Sequence, residues 1–138
     1  MRKTRISWAN ATWNPVHGCS HAGSPGCDNC YAEVLSLRMG WTKSEWTGEN
    51  ASENVQLKPH KLNEPHRLKQ PSRVFVNSMS DLWHKEIPDS FLAEVFKAMT
   101  DLPQHVFQIL TKRPRRAAKY PGPWTENIWQ GVLSLIHI

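Results

Sequence analysis

Arg73-Val74-Phe75-Val76-Asn77-Ser78-Met79-Ser80-Asp81-Leu82 is the stretch that decides the fold. Val74-Phe75-Val76 is a β-branched and aromatic run, which reads as a buried strand, and Asn77, Ser78 and Asp81 are a polar trio directly after it. Downstream, Pro88 and Asp89 open a helix. Its apolar set Phe91, Leu92, Val95, Phe96, Met99 and Leu102 recurs at the spacing of one helical face. Val106 to Leu110 is a second strand, ending at Thr111-Lys112-Arg113-Pro114. A short basic helix from Arg115 to Tyr120 and a third strand from Asn127 to Val132 follow. Strand, helix, strand, helix, strand is the alternation of a parallel sheet, so the expected fold class is α/β. In such sheets chemistry collects at the carboxyl ends of the strands. Asn77, Ser78 and Asp81 fall there after one strand, and Thr111, Lys112 and Arg113 after the next.

Upstream, residues 13–27 hold Pro15, Gly18, Gly23, Pro25 and Gly26, and read as a structured loop. Asp28 and Asn29 are caps for a helix over about 29–39, stopped by Gly40. Residues 41–72, with Gly48, Pro59, Pro65 and Pro71, predict an irregular excursion with at most short helices. Of the seven Trp, most are expected in the core, with Trp8, Trp13 and Trp129 flanking core elements and Trp83 near the opening. His60, His66, His84 and His105 lack the spacing of a helical zinc site and are expected at the surface.

The 138 residues allow one domain or part of one, and 39% hydrophobic residues exclude wholesale disorder. A net charge of +5, evenly spread, is compatible with an anionic partner but excludes a dedicated nucleic-acid arm. Neither a membrane span nor a signal core is visible. A cytoplasmic location follows as the expectation, without a membrane partner.

Cys19, Cys27 and Cys30 crowd into twelve residues, C-x7-C-x2-C, an odd number that argues against a disulfide framework. Three readings stay open. An iron–sulfur cluster on three thiolates leaves one iron free; a structural zinc takes His21 or His17 as fourth ligand; inert buried cysteines are the plain case. In the first turn of its helix Cys30 lies where the backbone dipole favours an anionic thiolate or cluster.

Four blocks carry a resemblance over about residues 6–132: 13–19 (WNPVHGC), 24–33 (SPGCDNCYAE), 75–82 (FVNSMSDL) and 107–114 (FQILTKRP). In that order they resemble the phage Gp37/Gp68 family, a three-Cys-motif, DUF5131-type family also found in bacteria. It is similar in pattern to radical S-adenosylmethionine enzymes, whose usual first spacing, C-x3-C-x2-C, is narrower than here. The resemblance implies a partial (β/α) barrel of radical SAM type with parallel strands, and a [4Fe–4S] cluster on Cys19, Cys27 and Cys30. It implies S-adenosylmethionine on the open iron, an electron donor as partner, and a bacterial or phage-infected cytoplasm. Tyr31 would then cover the cluster or face the adenine, or pack on the sheet as a plain helix residue. Asn77, Ser78 and Asp81 would grip the cofactor, and Thr111, Lys112 and Arg113 would take its carboxylate or an anionic substrate. The competing expectation is a zinc-stabilised nucleic-acid binding module, with Lys112 to Lys119 on phosphates. The apolar run after the third strand lacks a covering helix. Residues 1–132 are therefore expected to be the N-terminal half of a domain, truncated at its C-terminus, with the cysteine loop at 13–31 and a non-native tail at 133–138.

Overall fold

The computed structural model describes residues 2–3, 9–19, 31–42, 46, 54–78 and 80–132. Five strands form one open sheet in the order β1-β2-β5-β6-β7. They are β1 (Arg2–Lys3), β2 (Ala11–Trp13), β5 (Arg73–Val76), β6 (Val106–Thr111) and β7 (Ile128–Val132). All neighbours are parallel except the edge pair of β1 and β2. Helix α1 (Tyr31–Arg38) lies between β2 and β5 in the chain, α2 (Asp89–Thr100) joins β5 to β6, and α3 (Pro114–Lys119) joins β6 to β7. A small antiparallel ribbon, β3 (Val16–His17) with β4 (Gln56–Leu57), and two 3-10 turns, Pro59–Lys61 and Glu64–Arg67, occupy the excursion before β5. The α/β expectation holds in this form. Among the described residues the sheet stays open and no barrel closes.

The register explains the core. Ala11, Val74, Phe107 and Ile128 lie in one row across the sheet, and Trp13, Val76 and Ile109 in the next. All seven are buried. The period of two that points them to one face sends Thr12, Phe75, Gln108 and Trp129 to the other. Against the buried rows pack Phe91, Leu92, Val95, Phe96 and Met99 of α2, each contributing about 1.5–3 kcal/mol of burial. The turn after α2 is tied to β7 by Asn127, whose Nδ2 donates to Met99 O at 2.9 Å and Leu102 O at 3.1 Å. At the other end of α2 Arg116 of α3 donates to the carbonyls of His84 and Ile87 and pairs with Asp89 at 2.8 Å.

Gly40 ends α1 as expected, with φ +73°, where only glycine is free of steric cost. Its N–H donates to Leu37 O, and that of Trp41 to Ser36 O at 2.9 Å.

Several expectations need correction. Trp83 is 1% exposed; its ring packs on Phe96, Tyr120 and Trp124, and Nε1 donates to Gln130 Oε1 at 2.7 Å. It belongs to the core rather than the opening, because the chain turns inward after Asp81. Trp129 is 58% exposed, since β7 carries it on the open face. His84 and His105 are fully buried rather than superficial. Each satisfies an imidazole nitrogen with a backbone amide: Nδ1 of His84 accepts from Glu86 N and Nδ1 of His105 from Ser72 N.

Candidate functional site

The loops after β2, β5 and β6 meet at the carboxyl edge of the sheet. Asp81, almost buried, is the hub. Its carboxylate accepts from Thr111 Oγ1 at 2.7 and 2.9 Å, from the Lys112 amide at 3.1 Å and from the Trp83 amide at 3.0 Å. Thr111 Oγ1 in turn accepts the Arg113 amide at 2.8 Å. The Arg113 guanidinium lies 3.6 Å from Asp81 Oδ2, and its Nη1 donates to Cys19 Sγ at 3.2 Å. A fixed cation aimed at sulfur is the environment a thiolate ligand needs.

Gly18 delivers Cys19 to this point. Its φ is +87°, and a Cβ there would sit 1.8 Å from the Asn54 carbonyl oxygen, so no other residue fits without moving backbone. Gly18 also bridges Ser80, whose hydroxyl donates to Val16 O at 3.0 Å. Asn77 closes the same corner. At φ +61° it occupies the left-handed region that Asn tolerates, its amide donates to Trp13 O, and its Oδ1 accepts Val16 N at 3.4 Å. Its buried Nδ2 has no partner. Ser78 donates to Asn14 Oδ1 at 3.3 Å.

Beside this corner lies a cavity of 490 Å³ between α1, the β3–β4 ribbon, the first 3-10 turn and the ends of β2 and β5. Trp41 and His17 form an aromatic wall, rings 5.4 Å apart at 67°. Burial, with the Lys61 and Lys58 charges, lowers the His17 pKa from 6.5 to about 4, so its imidazole is neutral at physiological pH. Lys58 Nζ donates to Gln56 Oε1 at 3.1 Å. A second cavity of 420 Å³ is bounded by Trp83, His84, Lys85 and the basic turn after β6. There burial first, then Arg113, lowers the His84 pKa to about 4.

Of the residues singled out in the sequence, Asn77, Ser78, Asp81, Thr111, Lys112, Arg113 and Cys19 come together at this edge. Asp81 and Thr111 are spent on holding Arg113 and the loop backbone, so they position rather than bind. Cys27, Cys30, His21 and the Tyr31 side chain lie outside the described residues. Among the described residues no three His, Cys, Asp or Glu side chains gather as a metal set, and Cys19 is the one thiol among them. Its soft donor atom, half-buried beside Ala32, Trp46 and a guanidinium, suits a sulfur-ligated metal centre. In the basic stretch Arg116 is committed to α2, whereas Arg115 and Lys119 are exposed. Sequence reasoning missed Gly18, Thr12, Trp41 and Lys61. A glycine just before Cys19 was a usable signal. The cavity had none, because its walls come from separate segments.

No helix among the described residues is long and apolar enough to cross a membrane. A family model described as a protein of unknown function (DUF5131) matches residues 3–135. Neither the curated proteins nor the solved structures give a match.

Proposed function

The chain belongs to the DUF5131 family of proteins of unknown function, and on that premise we propose that it is an iron–sulfur protein of the phage Gp37/Gp68 type. In this reading Cys19, Cys27 and Cys30 hold a [4Fe–4S] cluster, within a partial (β/α) barrel of radical SAM type, and S-adenosylmethionine is the partner ligand. The observation that carries the reading is the Arg113 guanidinium on Cys19 Sγ at the carboxyl edge of a parallel sheet. Zinc on the same cysteines is the competing metal.

When bound, a cluster with one open iron supplies an electron and a coordination point for the amino and carboxylate groups of S-adenosylmethionine. The chain's own groups do the rest. Arg113 offsets the negative charge gathered by three thiolates, and Asp81 with Thr111 holds Arg113 in place. Lys112, at the same strand end, adds positive charge for a carboxylate or phosphate. Asn77 ties the β5 end to β3 and keeps a buried amide nitrogen at the corner. Tyr31, one residue past Cys30, is assigned to shielding the centre from water.

The test is anaerobic reconstitution of the full chain with iron and sulfide, beside metal analysis of protein purified in air. Stoichiometric iron and sulfide, lost in Cys19→Ala, Cys27→Ala and Cys30→Ala, is the expected result. One zinc per chain that survives chelation and blocks cluster assembly would overturn it in favour of the zinc-stabilised nucleic-acid module. S-adenosylmethionine binding, read by calorimetry, should require the cluster and weaken in Arg113→Ala.

A further inference from the structure

We propose that the 490 Å³ cavity beneath Trp41 is a nucleotide site, with the phosphate on Lys61 and the base against the Trp41 ring. The inference does not rest on the metal reading, since no cysteine among the described residues lines this cavity. Its volume falls in the ~300–1,000 Å³ range of small-molecule pockets.

What singles it out is the state of its polar groups. Around Asp81 the carboxylate and the groups that face it are paired within the protein. At the cavity, among the described residues, the Lys61 ammonium, the His17 ring nitrogens and the Thr12 hydroxyl make no hydrogen bond or ion pair. Lys61 is nevertheless fixed at its base. Its carbonyl accepts Nε1 of the fully buried Trp13 at 2.7 Å, and its amide donates to Lys58 O at 2.9 Å. A cation on an anchored stem beside a cavity is placed for a phosphate oxygen. Lys58 adds a second positive charge, partly engaged by Gln56, against one carboxylate, Glu64, among the lining residues.

The aromatic wall is also set in advance. Trp41 follows the glycine stop of α1, its amide is held by Ser36 O, and its carbonyl accepts Gln56 Nε2 at 3.2 Å. The ring meets His17 edge-on and the residue is 37% exposed, leaving surface for a planar ligand. Stacking on such a platform tolerates any base. Thr12, on the open face of the sheet, offers a hydroxyl for the sugar. Phosphate, sugar and base thus each meet a matching group.

Calorimetric titration of the full chain, with and without its cluster, uses AMP, GMP, CMP and UMP as probes, beside adenosine, inorganic phosphate and S-adenosylmethionine. The expected result is one saturable nucleotide site in both forms, tighter than phosphate or adenosine alone. Lys61→Ala should weaken nucleotides by about ten- to a hundredfold, and Lys61→Arg should restore most of that. Trp41→Leu should weaken nucleotides by about five- to a hundredfold while leaving inorganic phosphate unchanged. Lys97→Ala, on the exposed side of α2, should bind like the parent. Circular dichroism of each variant separates lost binding from lost folding. Absence of saturation at millimolar nucleotide overturns the proposal, as does parental affinity in a folded Lys61→Ala. Phosphate binding as tightly as AMP would reduce the site to an anion hole. S-adenosylmethionine outcompeting every nucleotide in cluster-free protein would give the cavity to that cofactor instead. If cluster assembly fails while nucleotide binding survives, only the metal reading falls.

Discussion

The Asp81 cluster and the cavity under Trp41 lie along the same carboxyl edge, yet their polar groups behave in opposite ways. Around Asp81 the carboxylate spends its acceptor sites on Thr111, two backbone amides and a guanidinium. Around the cavity Lys61, His17 and Thr12 make no side-chain hydrogen bond or ion pair among the described residues. Saturated buried polar groups hold geometry, because breaking any one leaves another unpaired in a dry environment. Uncommitted groups beside open volume stay free for a ligand. Removal should therefore cost stability at the first region and binding at the second.

The sharpest way to break this contrast is Asp81→Ala. It strands the Thr111 hydroxyl, two amides and the Arg113 charge, and should cost about 3–5 kcal/mol in denaturant unfolding. A loss under ~1 kcal/mol would mean the cluster is not a structural hub. Asp81→Asn, which keeps shape and one acceptor, should cost less, about 1–3 kcal/mol.

A proton is the next probe, and it acts in both regions, since His17 at the cavity carries the same lowered pKa. His84 has a folded pKa of about 4 against 6.5 unfolded, through burial and then Arg113. Between those values the unfolded chain binds a proton that the folded chain refuses. The His84 contribution is therefore complete above pH 6.5 and is lost as pH falls toward 4, at up to about 1.4 kcal/mol per pH unit. Unfolding free energy followed from pH 7 to 4 should show that slope, and His84→Asn should flatten it by one proton. A slope unchanged in the variant would assign it elsewhere. The smallest effect belongs to the cavity, where Lys61→Ala should leave unfolding within about 0.5 kcal/mol of the parent. A larger loss would show that Lys61 is structural after all.

Legibility followed the same divide. Helix α2 and strands β5, β6 and β7 were readable because apolar period and β-branched runs are local signals, and their registers bring Asn77, Asp81, Thr111 and Arg113 to one edge as the strand-end rule requires. Strand β2 was not, because Ala11-Thr12-Trp13 carries no β-branched aliphatic and is defined by pairing with Val74 to Val76. The β3–β4 ribbon is two residues long on each side, too short for any period. Trp83 was expected near the opening and His84 at the surface, because polar neighbours surround them in sequence. A turn after Asp81 buries both, a long-range outcome with no local marker. The cavity was invisible for a similar reason, since Thr12, His17, Trp41 and Lys61 become neighbours only after the ribbon docks on the sheet.

The Arg113 contact links the cysteine to the pairing of two strands far from it in sequence. Thr111 faces Asp81 because β6 pairs with β5 with Val106 opposite Arg73. A slip of one residue would turn Thr111 to the open face and withdraw the anchor of Arg113. Cys19 would then lose its cation. The polar surroundings of Cys19 are thus a product of tertiary assembly: a chain whose two strands are out of register has the same thiol without the guanidinium beside it.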